Sequence, residues 1–358
     1  MAILQKRTLK FAHHLIPLEC DIYDAPDYPD DTPVLLFFFS GGLVSGSRAM
    51  VPPWLVQVSP PTLPKVPSPD EAQLTYHNRQ TCLRRKWPLL SPDYRLLPQA
   101  KGEDLLQDAQ AAFAFAQSYG GRPTPRRVII AGASAGFVLA ALIAHNLPTT
   151  TPSPLALLSI TGIPTFQHPF FSSSRLIPPD PIAEDDVAQF LSLSPGDMTV
   201  GRHPWDQSAI FHLSWLLPSG MRNASFDPQH PPPPPPGNDG DPLRGMLYDY
   251  FLYENLFPDL VGTAVDPGFD WAQDTASWKL ERWPMTIMIQ GDADDDVDPD
   301  VCRDVASKLG RKAVLCVAEG KGHLFEKAKF LEDVESEEGL AAVTKAIAVL
   351  DEVVGGGT

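Results

Sequence analysis

Six short, almost unbroken apolar runs constrain this 358-residue chain more than any other feature. They are Val34–Phe39, Trp87–Leu90, Val128–Ala131, Leu155–Ile160, Thr286–Ile289 and Val314–Val317. Each is short for a buried helix and lacks the polar alternation of a half-wet strand, so each predicts a strand covered on both faces. Helical patterning fills the intervals, at Glu103–Tyr119, Gly136–Asn146, Pro299–Leu309 and Gly339–Val354, with a short helix at Pro52–Gln57. Leu105, Ala112, Phe113 and Ala116 recur at helical spacing in the first of these, and Leu340, Val343, Ile347 and Leu350 form a stripe in the last. Strands alternating with helices predict an α/β class with a mainly parallel, doubly wound sheet.

Two segments break the alternation. Residues 163–284 are irregular and proline-rich, and 16 of the 118 positions from 165 to 282 are aromatic, against 9% over the chain. They include the run Pro231–Pro236, expected as polyproline II, and one helical stretch, Gly245–Leu260, that is apolar around most of its circumference. An aromatic insertion between two strands predicts a cap over the carboxyl ends of the sheet. The expected organisation is a core of residues 1–162 and 285–358 with a cap of residues 163–284. The second break, Val58–Gln80, has no periodicity of either kind and is read as an irregular insertion of the sort that translated intron sequence would produce.

Chemistry concentrates at four places. Gly132-Ala133-Ser134-Ala135-Gly136 follows an apolar run and opens a helix-forming one. A strand–turn–helix with small residues around a serine exposes the hydroxyl at a helix N-terminus, where free amides favour developing negative charge. A serine needs a base, and the base needs an orienting acid. Past the strand at Thr286–Ile289, five aspartates crowd positions 292–298; Asp294 is the expected acid, with Asp292 and Asp296 as alternatives. They do not spell a calcium loop, since Val297 and Arg303 occupy the places of the required glycine and acid. His323, in the glycine-rich loop behind Val314–Val317, is the expected general base. Finally, Ser40-Gly41-Gly42 follows the first apolar run, and with Ala135 it offers backbone N–H groups to a carbonyl oxygen.

These features, with Asp93-Tyr94-Arg95-Leu96-Leu97-Pro98 and the order serine, aspartate, histidine, resemble the α/β-hydrolase fold, and more narrowly its hormone-sensitive-lipase-like esterase branch. The resemblance covers residues 34–57, 84–162 and 284–350. It implies Ser134 as nucleophile, Asp294 as acid, His323 as base, and Gly41, Gly42 and Ala135 as oxyanion donors, with no metal or organic cofactor. The chain departs from the branch at Ser40, where a histidine is common, and at Ala133, where an acid is usual.

Composition narrows the partners. Asp and Glu total 44 against 28 Lys and Arg, a net charge of −16, the wrong sign for a protein that tracks phosphates. No apolar run is long enough to span a membrane, and the N-terminus lacks a secretory pattern, so the expected location is cytoplasmic. The four cysteines, at 20, 82, 302 and 316, have neither zinc nor disulfide-framework spacing. The expected activity is hydrolysis of a small apolar carboxylic ester through an acyl-enzyme. The alternatives are a thioesterase or lyase on a polyketide-like substrate, and a catalytically silent small-molecule binding protein.

Overall fold

The computed structural model describes residues 5–56, 85–192, 242–327, 329 and 338–356. Among them eight strands form a single sheet: β1 (Gln5–His14), β2 (Ile16–Asp24), β3 (Val34–Phe38), β4 (Leu89–Pro92), β5 (Val128–Ala133), β6 (Ala156–Ile160), β7 (Met285–Gly291) and β8 (Ala313–Ala318). Their spatial order is β1-β2-β4-β3-β5-β6-β7-β8. All pairings from β4 to β8 are parallel, and β1 and β2 join antiparallel at one edge. All six apolar runs became strands, but the last is not covered on both faces: β8 lies at the sheet edge, half-buried, with Val317 43% exposed. Every residue of β3, β5 and β6 is buried, because helices cover both faces of the parallel sheet.

The edge hairpin β1–β2 was not expected. β1 reads QKRTLKFAHH, and its residues 6–10 are exposed. An outermost strand with lysines and an arginine resists pairing with other chains, but it has no apolar run to betray it.

The helices α1 (Pro53–Val56), α2 (Gly102–Ser118) and α3 (Gly136–His145) follow the sequence reading to within a few residues. In α2 the buried stripe is Leu105, Ala109, Ala112, Phe113 and Ala116, and its first turn is capped by the Asp104 carboxylate accepting from Lys101 N–H at 2.9 Å. Between β6 and β7 lie α4 (Glu184–Leu191), a 3-10 turn (Pro242–Gly245), α5 (Met246–Tyr253), α6 (Phe257–Val261) and α7 (Trp278–Arg282). The single helix expected over Gly245–Leu260 is therefore two. Asn255, at φ 59°, takes the left-handed conformation that ends a helix, and Pro258 then sits in the first turn of the next. The remaining helices are α8 (Pro299–Leu309) and α9 (Ala341–Gly355). The polyproline run and Val58–Gln80 lie outside the described residues.

The aromatic enrichment of the β6–β7 segment has a packing explanation. Phe166 stacks on Phe257 at 4.4 Å between ring centroids, and Phe171 and Phe251 pack edge-on around the pair. All four are buried, so they form the segment's own core rather than a surface offered to a ligand.

Candidate active site

Ser134 sits where β5 turns sharply into α3, with φ at 51°. A side chain holds the left-handed region only when its surroundings impose it, at a cost of order 1 kcal/mol. The flanking glycines show what imposes it here. A Cβ on Gly136 would lie 2.3 Å from the Phe39 carbonyl oxygen, and one on Gly132 would lie 2.5 Å from the Phe137 backbone. The helix thus approaches the sheet closer than any other residue permits, and Ser134 N–H is anchored to the Ile160 carbonyl at 3.0 Å.

Three of the expected residues meet. Ser134 Oγ is 2.9 Å from His323 Nε2, and His323 Nδ1 is 2.9 Å from Asp294 Oδ2. This geometry selects the tautomer that donates from Nδ1 to the carboxylate and leaves Nε2 to accept the serine proton. Asp294 has no exposed side-chain surface, and besides His323 it accepts from Gln290 Nε2 (2.9 Å), Asp296 N–H (3.1 Å) and Val297 N–H (2.9 Å). Four N–H donors around one carboxylate fix its direction.

The crowded aspartates are thereby told apart. Asp292 turns away and accepts from Gly320 N–H at 2.5 Å, clamping the histidine loop to the acid loop. Those loops are so close that a Cβ on Gly291 would lie 2.1 Å from the Lys321 carbonyl oxygen. Asp296 contributes only its backbone. Cys302 donates to Gln290 Oε1 at 3.3 Å and so orients the amide that holds Asp294. Its own thiol is pushed up to about 12 by burial and stays protonated.

Gly41 and Gly42 follow β3 at φ 122° and 65°, conformations that favour glycine. Among the described residues, no protein acceptor takes the N–H of Gly41, Gly42 or Ala135. The loop is held from below by its neighbours. Tyr94 stacks on Phe39 at 4.2 Å and donates its hydroxyl to the Phe39 carbonyl at 2.9 Å, while Leu97 N–H donates to the Leu43 carbonyl at 2.9 Å. Arg48 ties the far end of the loop to Asp93 (2.6 Å), Asp21 (3.0 Å) and Glu19 (2.9 Å). Arg95 is a strut rather than a reacting group: at 2% exposure it bonds Asp108, which is wholly buried, through Nε and Nη2 at 2.8–3.0 Å. DYRLLP is thus scaffolding for the glycine loop.

Sequence reading missed Gln290, Arg48, Arg244, Tyr248 and Glu326. Only Gln290 carried a signal, its place at the end of a strand four residues before the acid. Tyr248 lies against Gly42, where a Cβ would meet its ring at 2.6 Å, and its hydroxyl donates to the Asp296 carbonyl at 3.0 Å. Glu326, three residues beyond His323, is wholly buried. A separate cleft lined by His145, Trp278, Lys279 and Trp283 lies at the opposite, amino end of the strands and holds none of the residues read as chemical. No helix among the described residues is long and apolar enough to cross a membrane. Nor is any group of three or more His, Cys, Asp or Glu among them arranged to hold a metal ion.

Residues 73–216 match the family model described as alpha/beta hydrolase fold. Across 219 residues, 53% of this chain and 57% of the relative, the sequence is 25% identical to a probable carboxylesterase M8 of a Phoma species. It is 27% identical over 145 residues to the carboxylesterase/phospholipase LipF of Mycobacterium tuberculosis, covering 38% of each chain. The matches thus span about half, or less, of these relatives' own lengths. An alpha/beta hydrolase superfamily protein from Enterococcus faecalis shares the fold over 97% of this chain and 99% of its own, with a TM-score of 0.58 at 15% identity. The chain is an α/β-hydrolase-fold protein, as the resemblance in its sequence implied. Within that fold its curated relatives are carboxylesterase-like.

Proposed function

We propose that this protein is a carboxylic-ester hydrolase working through a serine acyl-enzyme. The observation that carries the reading is the continuous relay Ser134–His323–Asp294, with both links at 2.9 Å. His323 takes the Ser134 proton as Oγ attacks the ester carbonyl, and Asp294 holds the imidazole tautomer and stabilises the imidazolium. The N–H groups of Gly41, Gly42 and Ala135 receive the oxyanion, each donor being worth about 3 kcal/mol in comparable sites. The imidazolium returns its proton to the departing alcohol, and the same base then activates water against the acyl-serine. None of these steps calls on a metal or cofactor.

The substrate we propose is a small apolar ester. Residues 163–284 would serve as its cap, with Tyr248 packed against Gly42. The net charge of −16 argues against a nucleic-acid partner. The test is turnover of p-nitrophenyl esters of increasing acyl length, alongside the matching thioesters and with Ser134→Ala as control. Ester turnover that disappears in the variant is expected. Faster turnover of thioesters would move the reading to the thioesterase alternative, and binding without turnover would support a silent binding protein.

A further inference from the structure

Arg244 stands in the 3-10 turn before α5, two hundred residues from the glycine loop. It is 7% exposed, and among the described residues no carboxylate pairs with it. A buried cation without a counter-charge is costly, and burial lowers its pKa to about 10. Its planar fork is spent on three neutral oxygens. Nε donates to the Val44 carbonyl at 2.8 Å, and Nη2 donates to the Leu97 carbonyl and to Gln99 Oε1, both at 2.7 Å.

Those acceptors belong to the two loops that shape the oxyanion site. Val44 is two residues beyond Gly42, and its own N–H donates to the Gly41 carbonyl at 3.0 Å. Leu97 is the residue whose N–H holds the Leu43 carbonyl. Gln99 passes the connection on, donating to the Phe190 carbonyl of α4 at 2.6 Å. A loop that presents N–H groups without protein acceptors forgoes the bonds that would otherwise fix those peptide planes, so its orientation must be set through its carbonyls.

We propose that Arg244 is a positioning residue: its guanidinium clamps the Val44 and Leu97 carbonyls and thereby aims the N–H groups of Gly41 and Gly42. The inference rests on the reading of Ser134 as nucleophile and deepens it, since it makes the β6–β7 segment part of the oxyanion site. An ammonium can supply the charge but cannot bridge both loops with a rigid fork.

The test uses the full chain with Arg244→Gly and Arg244→Lys, the former with and without tens of millimolar guanidinium. Two quantities are read: amide hydrogen exchange over residues 41–46, and kcat and KM for p-nitrophenyl acetate normalised to titrated sites. In Arg244→Gly, exchange should quicken and kcat should fall about tenfold or more with KM within twofold. Guanidinium should restore both, more fully than the lysine does. If Arg244→Gly fails to fold, Arg244→Lys carries the same two readouts, with slower kcat and faster exchange expected. Exchange and kcat unchanged from wild type, or losses that merely track the folded fraction and resist guanidinium, would overturn the clamp. A wild type that turns over no ester would instead refute the nucleophile reading, and the exchange measurement would still decide whether Arg244 fixes the loop.

Discussion

Replacing Glu326 with glutamine should stabilise the protein in alkaline solution and leave it unchanged in acid. The side chain is 0% exposed, and neither carboxyl oxygen has a hydrogen-bond partner in another residue among those described. Burial raises its pKa from 4.5 to about 7, and the nearby His323 offsets this only in part. Between those two values the unfolded chain sheds the proton while the folded one keeps it. Stability therefore declines as pH rises through that window, and the whole penalty stands above pH 7. At 1.36 kcal/mol for each tenfold change in proton affinity, the rise from 4.5 to about 7 amounts to roughly 3 kcal/mol. Unfolding entropy of about 2.1 cal/mol/K per residue over this length converts 3 kcal/mol into a melting shift of roughly 4 °C.

Glu326→Gln removes the charge at nearly constant volume and leaves a neutral amide, much like the protonated acid. Differential scanning calorimetry of both proteins in acid and in alkaline buffer should give coincident transitions near pH 4 and a variant melting about 4 °C higher near pH 8.5. Asp93 and Asp249, both pushed up to about 6 by burial, impose similar slopes on both proteins and cancel in the difference. A variant that melts lower than wild type at pH 8.5, or one offset equally at both pH values, would refute the reasoning.

Three further outcomes follow from the geometry. Asp294→Asn should leave the melting temperature nearly unchanged while kcat drops about ten-thousandfold, because the amide favours the wrong histidine tautomer; steady-state ester kinetics would show it. Gly136→Ala would place a Cβ against the Phe38 and Phe39 carbonyls, at 2.4 and 2.3 Å, so a loss of at least 2 kcal/mol, on the order expected for overpacking against backbone, should appear in urea denaturation. Arg95→Met takes the guanidinium from the buried Asp108 carboxylate, which keeps His14 Nδ1 at 2.7 Å and the backbone N–H of position 95 at 2.9 Å, so the same assay should register a loss of about 3 kcal/mol, the low end for a broken buried pair.

What the sequence made legible were positions where chemistry and backbone geometry coincide. Ser134 announced itself because its turn tolerates only small neighbours, and His323 because it follows an apolar strand in a glycine-rich loop. The choice among the aspartates was open until the structure turned Asp292 toward Gly320 and Asp294 toward His323. The hairpin β1–β2 stayed hidden because an edge strand is patterned for solvent rather than core. Arg244, Tyr248 and Glu326 were invisible for another reason: their roles depend on contacts between distant segments, or on burial that no local pattern encodes. Among the described aromatics of residues 163–284, Phe166, Phe171, Phe251 and Phe257 pack on one another, a cluster that enrichment alone could not place.

The central claim is that the relay ending at Ser134 activates its hydroxyl. Intact mass spectrometry after exposure to a fluorophosphonate tests this most directly, because the reagent labels an activated serine without requiring knowledge of the substrate. The account predicts one adduct per chain on the wild type and none on Ser134→Ala. Well-folded wild-type protein that takes no adduct, or an adduct that persists in Ser134→Ala, would contradict it.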